Sequence, residues 1–422
     1  MPHLSAFMLS FSPDLIPYYG VELSGIRYSS IRGVNNHIKE MSSHTSARLS
    51  RRRRSIFTGI QIRREGTVPV NQVLIAIHKS RESIISVVRQ GAPMTYSIEL
   101  LSGNNAHQWE EFNAHSREGT LFHNLRWKEI LEEEFGLNLK YYLIRDDRKV
   151  IGICPFIARS VGLFQGLESI PHSEYTNAIL DDSFDASQID HLLSLFKTEC
   201  SFLQIDTYNP EIPNTITYSN FLSEDAGNMV LNLKQKPPEV VWETLSKKTI
   251  KSIRRFDKEG FEIHELSRRS DIEQFYRYYA KNVAHIKGEI LPLTFFERLW
   301  DAFSPGELRV AVLVKNDLCA GGTLALLEPV RKTVYYEYLA LNRDLPHYTP
   351  DHYLSWDLIK WASDNDYEKI SFGRQRLDPD NPRFRYKAKF RAEHIPIHSR
   401  LVIFSKAMSM LYQLKRTLLR SA

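Results

Sequence analysis

From about residue 95 onwards, apolar positions along the chain follow two alternating periods. Runs with a period of two, typical of β-strands, are separated by segments in which apolar residues recur every three or four positions, as on one face of a helix. In the first half this pattern predicts strands at 97–101, 140–144, 150–155 and 202–207, and helices at 106–115, 127–135 and 188–200. The pattern is that of a mixed α/β protein.

The same order of elements returns in the second half. After a weakly alternating segment at 228–233 and a linker at 234–238, the pattern predicts strands at 262–266, 308–315, 318–327, 333–341 and 369–372, and helices at 247–258, 271–284, 294–303 and 350–362. The order helix, helix, hairpin, strand, helix, strand occurs twice, which suits two divergent copies of a unit of about 140–170 residues. We predict one domain at 94–235, a second at 236–405, and a C-terminal amphipathic helix at 406–422.

The first 93 residues differ from the rest in both charge and pattern. They hold thirteen Lys and Arg residues against five acidic ones, include a run of four arginines at 51–54, and lack a sustained period. We predict that residues 1–93 are a poorly ordered basic extension. Two alternatives are a basic arm or targeting segment, and a natural translation start at Met94.

Charge and composition narrow the classes of function. The residues after 93 carry 42 basic and 45 acidic groups, whereas a non-specific nucleic-acid binder needs a broad positive surface. Three scattered cysteines and fifteen histidines without ligand spacing predict neither a disulfide framework nor a metal site. No run of about eighteen uncharged apolar residues is present, and a reducing cytoplasm is the expected compartment.

One short stretch stands out from this near-neutral body. Residues 374–391 hold seven Lys or Arg residues against two Asp, interleaved with aromatic residues. Every odd position from 383 to 391 is basic, which predicts an amphipathic strand with five cations on one face. A short helix or turn is the competing prediction.

Several motifs occur in an order typical of one transferase branch. The first half contains TLFH at 120–123, IGICP at 151–155 and ESIPHSEYTN at 168–177, and the second contains a cationic helix at 247–255, FGR at 372–374 and YKAKFR at 386–391. Together, over residues 97–400, they resemble the BioF2-like acetyltransferase and FemABX peptidyltransferase branch of the GNAT superfamily. The resemblance implies an α/β fold of two tandem GNAT-like domains, each a mixed central sheet flanked by helices.

The resemblance also implies roles for particular residues. Lys387 would stabilise the tetrahedral intermediate of acyl transfer, with Tyr386 shaping the pocket. Glu174 would accept the proton of an attacking amine or grip the acceptor, and Tyr175 and Asn177 would hydrogen-bond that acceptor. The alternatives are a solvated cation for Lys387 and a turn-capping loop carboxylate for Glu174.

The sequence departs from the pattern of this branch at three places. Tyr386 replaces Phe, Arg391 replaces Gly, and no glycine-rich pyrophosphate loop precedes Pro350. Glycines in such a loop let backbone N–H groups approach a phosphate at the start of a helix. Their absence weakens an acetyl-CoA prediction and leaves aminoacyl-tRNA or another activated acyl donor open.

The second half adds further candidates. Glu337 is another candidate base, and strict strand alternation puts Tyr336 and Tyr338 on one face, where either could donate to a leaving group. A half-buried aromatic strand is the alternative explanation. Arg374 follows the last strand of the repeat, a position suited to a phosphate of the acceptor.

These observations lead to an expected activity with two rivals. We expect an acyl- or aminoacyl-transferase that forms an amide on a nucleotide- or lipid-linked amine in cell-envelope biosynthesis, with aminoacyl-tRNA or acyl-CoA as co-substrate and no tightly bound cofactor. The rivals are an acyl-CoA-dependent N-acetyltransferase of a small amine, and a non-catalytic GNAT-like protein that binds RNA or an anionic polymer. The basic tail at 406–422 has Met408, Leu411, Leu414 and Leu418 at helical spacing, which predicts either packing on its own domain or peripheral contact with the inner face of the cell membrane.

Overall fold

The computed structural model describes residues 96–176, 178–182, 184–208, 216–223, 226–345 and 348–420. The predicted extension at 1–93, the proposed start at Met94 and the predicted site residue Asn177 lie outside the described residues. Within this part, β-strands and α-helices alternate along the chain and build two mixed sheets, so the predicted α/β class is confirmed.

The first sheet is formed mainly by the first half of the chain. Its strands lie in the order β1–β2–β3–β4–β6–β15–β7, and β5 pairs with β3. Their bounds are β1 Tyr96–Leu100, β2 Leu139–Asp146, β3 Lys149–Val161, β4 Phe164–Glu168, β5 Ile179–Leu180, β6 Phe202–Thr207, β7 Ser219–Ser223 and β15 His398–Ile403. Three helices flank it: α1 Ala106–His115, α2 Leu125–Phe135 and α3 Ile189–Phe196.

The second sheet has the order β14–β8–β13–β12–β11–β10–β9. Its strands are β8 Ala226–Asn232, β9 Glu262–Glu265, β10 Leu308–Lys315, β11 Leu318–Glu328, β12 Thr333–Leu341, β13 Lys369–Arg376 and β14 Glu393–Pro396. The remaining helices are α4 Pro238–Thr244, α5 Lys247–Glu259, α6 Ile272–His285, α7 Leu293–Phe303, α8 Pro350–Asp364, α9 Pro382–Lys389 and α10 Lys406–Arg420.

The two sheets exchange strands across the predicted domain boundary. β8 precedes residue 235 but pairs with β13 and β14 of the second sheet, whereas β15, near the C-terminal end, pairs with β6 and β7 of the first. The exchange leaves the described residues in one compact unit. The division into domains at 94–235, 236–405 and 406–422 stays a prediction.

An aromatic core joins the two halves and fixes their relative position. The Phe122 ring lies 4.9 Å from that of Tyr335, and the Trp127 ring of α2 lies 6.2 Å from that of Phe295 of α7. All four residues belong to one buried apolar cluster. Because aromatic side chains bury large apolar areas, this contact holds the first-half loops against the second sheet.

The basic stretch is a helix, so the prediction of a strand at 383–391 is wrong. Pro382 sits at the first helical position, which suits its fixed φ, and the Asn381 side chain accepts a hydrogen bond from the backbone N–H of Arg383 (2.9 Å). These local start signals, together with the burial of Phe390 against the second sheet, outweigh the period of two. The competing prediction of a short helix is confirmed.

Candidate active site

Helix α9 turns one of its cations into the protein. Lys387 Nζ reaches β13 and donates hydrogen bonds to the carbonyl oxygens of Gly373 (3.3 Å) and Arg374 (3.4 Å). Burial lowers the pKa of Lys387 from its ordinary 10.5 to about 8, and the nearby carboxyls of Glu174 and Glu337 oppose that shift. The side chain is therefore enclosed by polar groups and carboxyls rather than solvated.

Glu174 brings the first half of the chain to this lysine. It lies in the loop after β4, is 6% exposed, and accepts a hydrogen bond from the Ser371 hydroxyl of β13. A Cβ placed on Gly373 would lie 3.4 Å from Glu174 Oε1 and 3.9 Å from Lys387 Nζ. The carboxyl and the ammonium thus meet over this glycine.

Gly373 is needed at this point of β13. Its φ of 79° lies in the left-handed region that favours glycine, and the pairing of β13 with β8 is interrupted between Ser371 and Arg374. The irregularity turns the Gly373 carbonyl toward Lys387. Any other residue here would add backbone strain beside Glu174.

Glu337 reaches the same place because β12 carries a β-bulge. Tyr336 pairs with Ala325 and Tyr338 with Leu324, so Glu337 is the extra residue between two consecutive partners. Its carboxyl is buried and forms a hydrogen bond with that of Glu174. The bulge turns the Glu337 side chain into the interior of the molecule. In a regular strand, another residue would face the interior at this point.

The bulge overturns the predicted alternation of the strand tyrosines. Tyr336 contacts Phe372 and Ser355 on the α8 side of the sheet, whereas Tyr338 packs with Tyr279, Phe295 and Phe296 on the opposite side. The prediction that Tyr336 and Tyr338 share one face is therefore wrong. The extra residue shifts the register by one between them.

The two carboxyls share a proton. Burial raises the pKa of both above the ordinary glutamate value, and that of Glu337 further, because the Glu174 charge adds to its rise. At Glu174, hydrogen bonds from Ser371 and Glu337 and the charge of Lys387 oppose the rise. Of the two, Glu337 therefore keeps its proton to the higher pH and is placed to donate it to Glu174.

A set of hydroxyl groups lies at the start of α8. The Tyr386 hydroxyl donates to the Asp351 carbonyl (2.9 Å) and lies 2.6 Å from Ser355 Oγ, which in turn donates to the Tyr336 hydroxyl (3.3 Å). Tyr336 and Tyr386, which were separate candidates, are thus brought together. Ser355 was not predicted, because it sits on the buried face of an ordinary amphipathic helix.

Tyr175 is buried and pairs with a residue that sequence reasoning missed. Its ring stacks on Tyr208 with centroids 4.0 Å apart, and its hydroxyl donates to Glu118 Oε2 (3.3 Å). The Tyr208 hydroxyl accepts from Asn228 Nδ2 (2.9 Å). The charge of Glu174 raises, and that of Arg374 lowers, the pKa of Tyr208, so its phenol lies within electrostatic range of both.

Arg374 forms a buried ion pair with Asp206. Its Nη1 donates to Asp206 Oδ2 (3.1 Å), and the two side chains are 15% and 2% exposed. The Arg374 charge and hydrogen bonds from Ser399, Gln204 and Ser169 keep the pKa of Asp206 below its ordinary value despite burial. Asp206 is the penultimate residue of β6 and was not predicted, since a lone aspartate near a strand end carries no motif.

Comparison with known proteins agrees with this geometry. A family model described as an acetyltransferase (GNAT) domain matches residues 246–388, which contain Glu337, Gly373 and Lys387. Residues 246–388 are therefore similar to a GNAT domain. This match, together with the relatives below, confirms the predicted resemblance to FemABX-type GNAT proteins and the GNAT-like fold.

One curated relative and two solved structures illustrate the relationship. The chain is 22% identical over 147 residues to the UDP-N-acetylmuramoylpentapeptide-lysine N(6)-alanyltransferase of Weissella viridescens, a match that spans 35% of this chain and 43% of the relative. The crystal structure of FemX superposes with a TM-score of 0.53 and 12% identity, over 76% of this chain and 100% of FemX. A conserved protein of unknown function from Bacteroides thetaiotaomicron gives a TM-score of 0.50 at 10% identity, over 73% of this chain and all of its own.

Two further properties of the chain bear on its site. Across the described ranges, no three His, Cys, Asp or Glu side chains are grouped so that they could hold a metal ion. None of the helices that the structure describes combines the length and the apolar character needed to cross a bilayer.

Proposed function

We propose that the protein transfers an acyl or aminoacyl group to an amine and forms an amide. The proposal rests on three side chains that lie together in the interior of the protein. Lys387 comes from α9, Glu174 from the loop after β4, and Glu337 from the bulge of β12. Acyl transfer needs a cation for the developing oxyanion and an acceptor for the amine proton. The cluster contains one cation, Lys387, and one proton acceptor, Glu174, and both are shielded from water.

Lys387 is the oxyanion partner in this proposal. The amine nitrogen attacks the acyl carbon, a C–N bond forms, and the carbonyl π-electrons move to oxygen. The Lys387 ammonium faces that charge in a water-poor site, where a single donor contributes roughly 3–4 kcal/mol to transition-state stabilisation. Its two hydrogen bonds to backbone carbonyls hold it in place without neutralising its charge.

Glu174 is the proton acceptor and Glu337 its partner. Glu174 takes the proton that the attacking amine loses, and the proton then passes to the leaving oxygen or sulfur as the bond from the acyl carbon breaks. No net proton is consumed. Glu337 carries its own proton throughout and donates it to Glu174, which keeps a second negative charge out of the buried site.

The proposed donor and acceptor are based on the reaction named for the curated relative. An alanyltransferase that acts on UDP-N-acetylmuramoylpentapeptide-lysine points to aminoacyl-tRNA as donor and a lysine side-chain amine on a nucleotide-linked peptide as acceptor. An acyl-CoA donor with a small amine is the competing pair. The experiment incubates the full chain with alanyl-tRNA or acetyl-CoA and that acceptor, and detects the amide by mass spectrometry.

The Lys387→Met variant tests whether the cluster does the chemistry. We expect turnover to fall by roughly 10²–10³-fold without loss of fold, because one transition-state donor is removed. Lys389→Met is the matched control, since this lysine lies on the same helix but points to His352 (Nζ–Nε2 2.6 Å). Unchanged turnover in Lys387→Met, or salt-sensitive tRNA binding without any amide product from the unmodified chain, would reject the proposal.

We also propose that α10 provides peripheral contact with an anionic membrane surface. The helix packs on the first sheet through Met408, which is fully buried, and through Tyr412, whose ring lies 4.5 Å from Phe221. One turn apart on another face, Met410 and Leu414 are 72% and 53% exposed. The exposed apolar pair and the exposed Lys406 of the same helix suit the surface of an anionic membrane, where a lipid-linked acceptor would be found.

A further inference from the structure

One edge of the Arg374 guanidinium is buried but forms no hydrogen bond with the described residues. Asp206 occupies Nη1, but Nε and Nη2 are buried and have no hydrogen-bond partner among the described residues. Those two N–H groups point the same way and form the planar fork with which arginine grips a carboxylate. Buried donors without acceptors are costly, so an interior that keeps two of them is unusual unless a ligand pairs with them.

A second unpaired polar atom lies next to this fork. Asn228 is directly opposite Arg374 in the pairing of β8 with β13, which brings neighbouring side chains to about 5 Å. Asn228 is 4% exposed, and its Oδ1 has no donor in the part of the chain that the structure describes, while its Nδ2 donates to Tyr208. Together, the two side chains offer two donors from Arg374 and one acceptor from Asn228.

The fork lies close to the proposed acyl-transfer cluster. The Arg374 backbone carbonyl accepts from Lys387 Nζ (3.4 Å), so the guanidinium is one side-chain length from the ammonium. The Tyr208 phenol responds to the charges of both Arg374 and Glu174. A molecule that presents an amine at Glu174 can therefore also reach Arg374 with another group.

We propose that Arg374 binds a carboxylate of the acceptor, and that the acceptor is an amine bearing a carboxylate, such as an amino acid or peptide, rather than an amino sugar. The inference rests on the proposed function, because that function places the acceptor amine at Glu174. Binding of the acceptor needs no acyl donor and can be measured separately. The carboxylate pairs with Nε and Nη2 of Arg374. Asn228 Oδ1 accepts an N–H of the same molecule, for example the amide N–H next to that carboxylate.

The choice of carboxylate follows from charge and shape. Asp206 already balances most of the Arg374 charge, so the site has room for one more negative charge and not for two. A planar carboxylate matches the fork, whereas a phosphate dianion would bring excess charge beside the Glu174 carboxylate. We therefore replace the predicted phosphate at Arg374 with a carboxylate.

The test is equilibrium binding in the absence of any donor. Ligand-observed NMR titration of the full chain compares Nα-acetyl-lysine with Nα-acetyl-lysine carboxamide, which differ only in the carboxylate, and uses inorganic phosphate as competitor. We expect the carboxylate to bind roughly 10- to 100-fold more tightly than the carboxamide, as for a charge-assisted pair. Phosphate should displace it only weakly.

Variants at Arg374 then assign the preference to this residue. Arg374→Lys keeps the charge but loses the fork, so part of the preference should disappear. Arg374→Gln combined with Asp206→Asn removes both charges, avoids an unpaired buried carboxylate, and should abolish the preference. Arg309→Gln is the control, because Arg309 is more deeply buried than Arg374 and is paired with Glu265 and Asp357, but lies on β10.

The outcomes separate the two proposals. Equal binding of the two ligands, a preference that survives the double substitution, or tight phosphate binding overturns the carboxylate site even if the chain forms amides. A carboxylate preference that depends on Arg374, in a chain that forms no amide from either donor, supports the site and rejects the proposed function. Loss of the preference in Arg309→Gln would show that the effect is not local, and would also overturn the site.

Discussion

Two glutamates and one lysine from distant parts of the chain form the centre of the molecule. A motif in the sequence pointed to Lys387 and Glu174, and strand position pointed to Glu337, but nothing in the pattern indicated that the carboxyls touch. Their contact depends on a bulge in β12 and a left-handed glycine in β13, which are backbone features that local sequence does not reveal. The individual candidate residues were therefore predictable from the sequence, but the contact between the two carboxyls was not.

The two glutamates should respond differently to the same substitution. Glu174→Gln removes the proton acceptor, so turnover should fall by roughly 10²–10⁴-fold. Glu337→Gln leaves an N–H that can still donate to Glu174, so the loss should be well under tenfold. Both variants are compared by initial rates and by thermal unfolding. A larger loss in Glu337→Gln than in Glu174→Gln would reverse the assigned roles.

The pH dependence of turnover should follow Lys387 on its alkaline side. Because burial holds the pKa of Lys387 near 8, the ammonium is lost as the pH rises through that value, and activity should fall with it. On the acid side, activity should fall as Glu174 becomes protonated, at a pH above the ordinary glutamate value. Rates measured from pH 5 to 10 check this; Lys389→Met should keep the same profile, and activity that still rises beyond pH 9 would contradict it.

Arg391 explains one departure from the family pattern. It has a φ of 66°, the left-handed conformation for which a glycine is the usual choice, and its side chain is exposed. We expect Arg391→Gly to raise the free energy of unfolding by about 0.5–1 kcal/mol, because strain is relieved and little contact is lost. Denaturant unfolding checks this against Arg391→Ala, which keeps the strain. Equal stability of the two variants would contradict the explanation.

At the level of elements, long periodic segments were predicted well, and several short strands were missed. Helices α1, α6, α7 and α8 and strands β10 to β12 appear within two residues of their predicted bounds. Strands β7, β14 and β15 were missed, because a strand of four to six residues gains its pairing from neighbours far along the chain. Helix α9 was recognisable only through Asn381 and Pro382, against a misleading alternation of charge.

Helix α10 differs from its prediction in orientation. Met408, Leu411 and Leu414 were expected on one apolar stripe, but Met408 is buried and Leu414 is 53% exposed. We expect a Met410→Glu, Leu414→Glu variant to lose most of its co-sedimentation with phosphatidylglycerol vesicles, because the exposed apolar pair is removed. Val330→Glu is the control, since Val330 is 79% exposed in the turn between β11 and β12. Equal binding by all three chains would rule out α10 as the contact.

At the level of the whole molecule, the repeat was predictable and the strand exchange was not. Two copies of one element order are visible in the pattern, and the tandem fold followed from them. Which sheet a strand joins depends on tertiary packing, so β8 and β15 could not be assigned from their own residues. The candidate site lies where the exchange brings the two sheets together, beside β6, β8 and β13.

The exchange predicts that the first half will not fold alone. A chain limited to residues 94–235 lacks β15, which lies between β6 and β7, and keeps β8 without either of its partners. We expect a fragment with little protection in amide hydrogen exchange and no cooperative unfolding, because its sheet has unpaired edges. The full chain is the control, and a fragment that unfolds cooperatively would show that 94–235 is an independent domain.

The position of β15 also constrains the order of events during synthesis. The ribosome makes β1 to β7 first, but β6 and β7 cannot be joined until residues 398–403 emerge, after α9 and Lys387. Until then the nascent chain carries two open strand edges, which are templates for wrong pairing. The candidate site and the first sheet are thus completed almost together, and we expect the growing polypeptide to depend on chaperones that shield strand edges until its last strands are available.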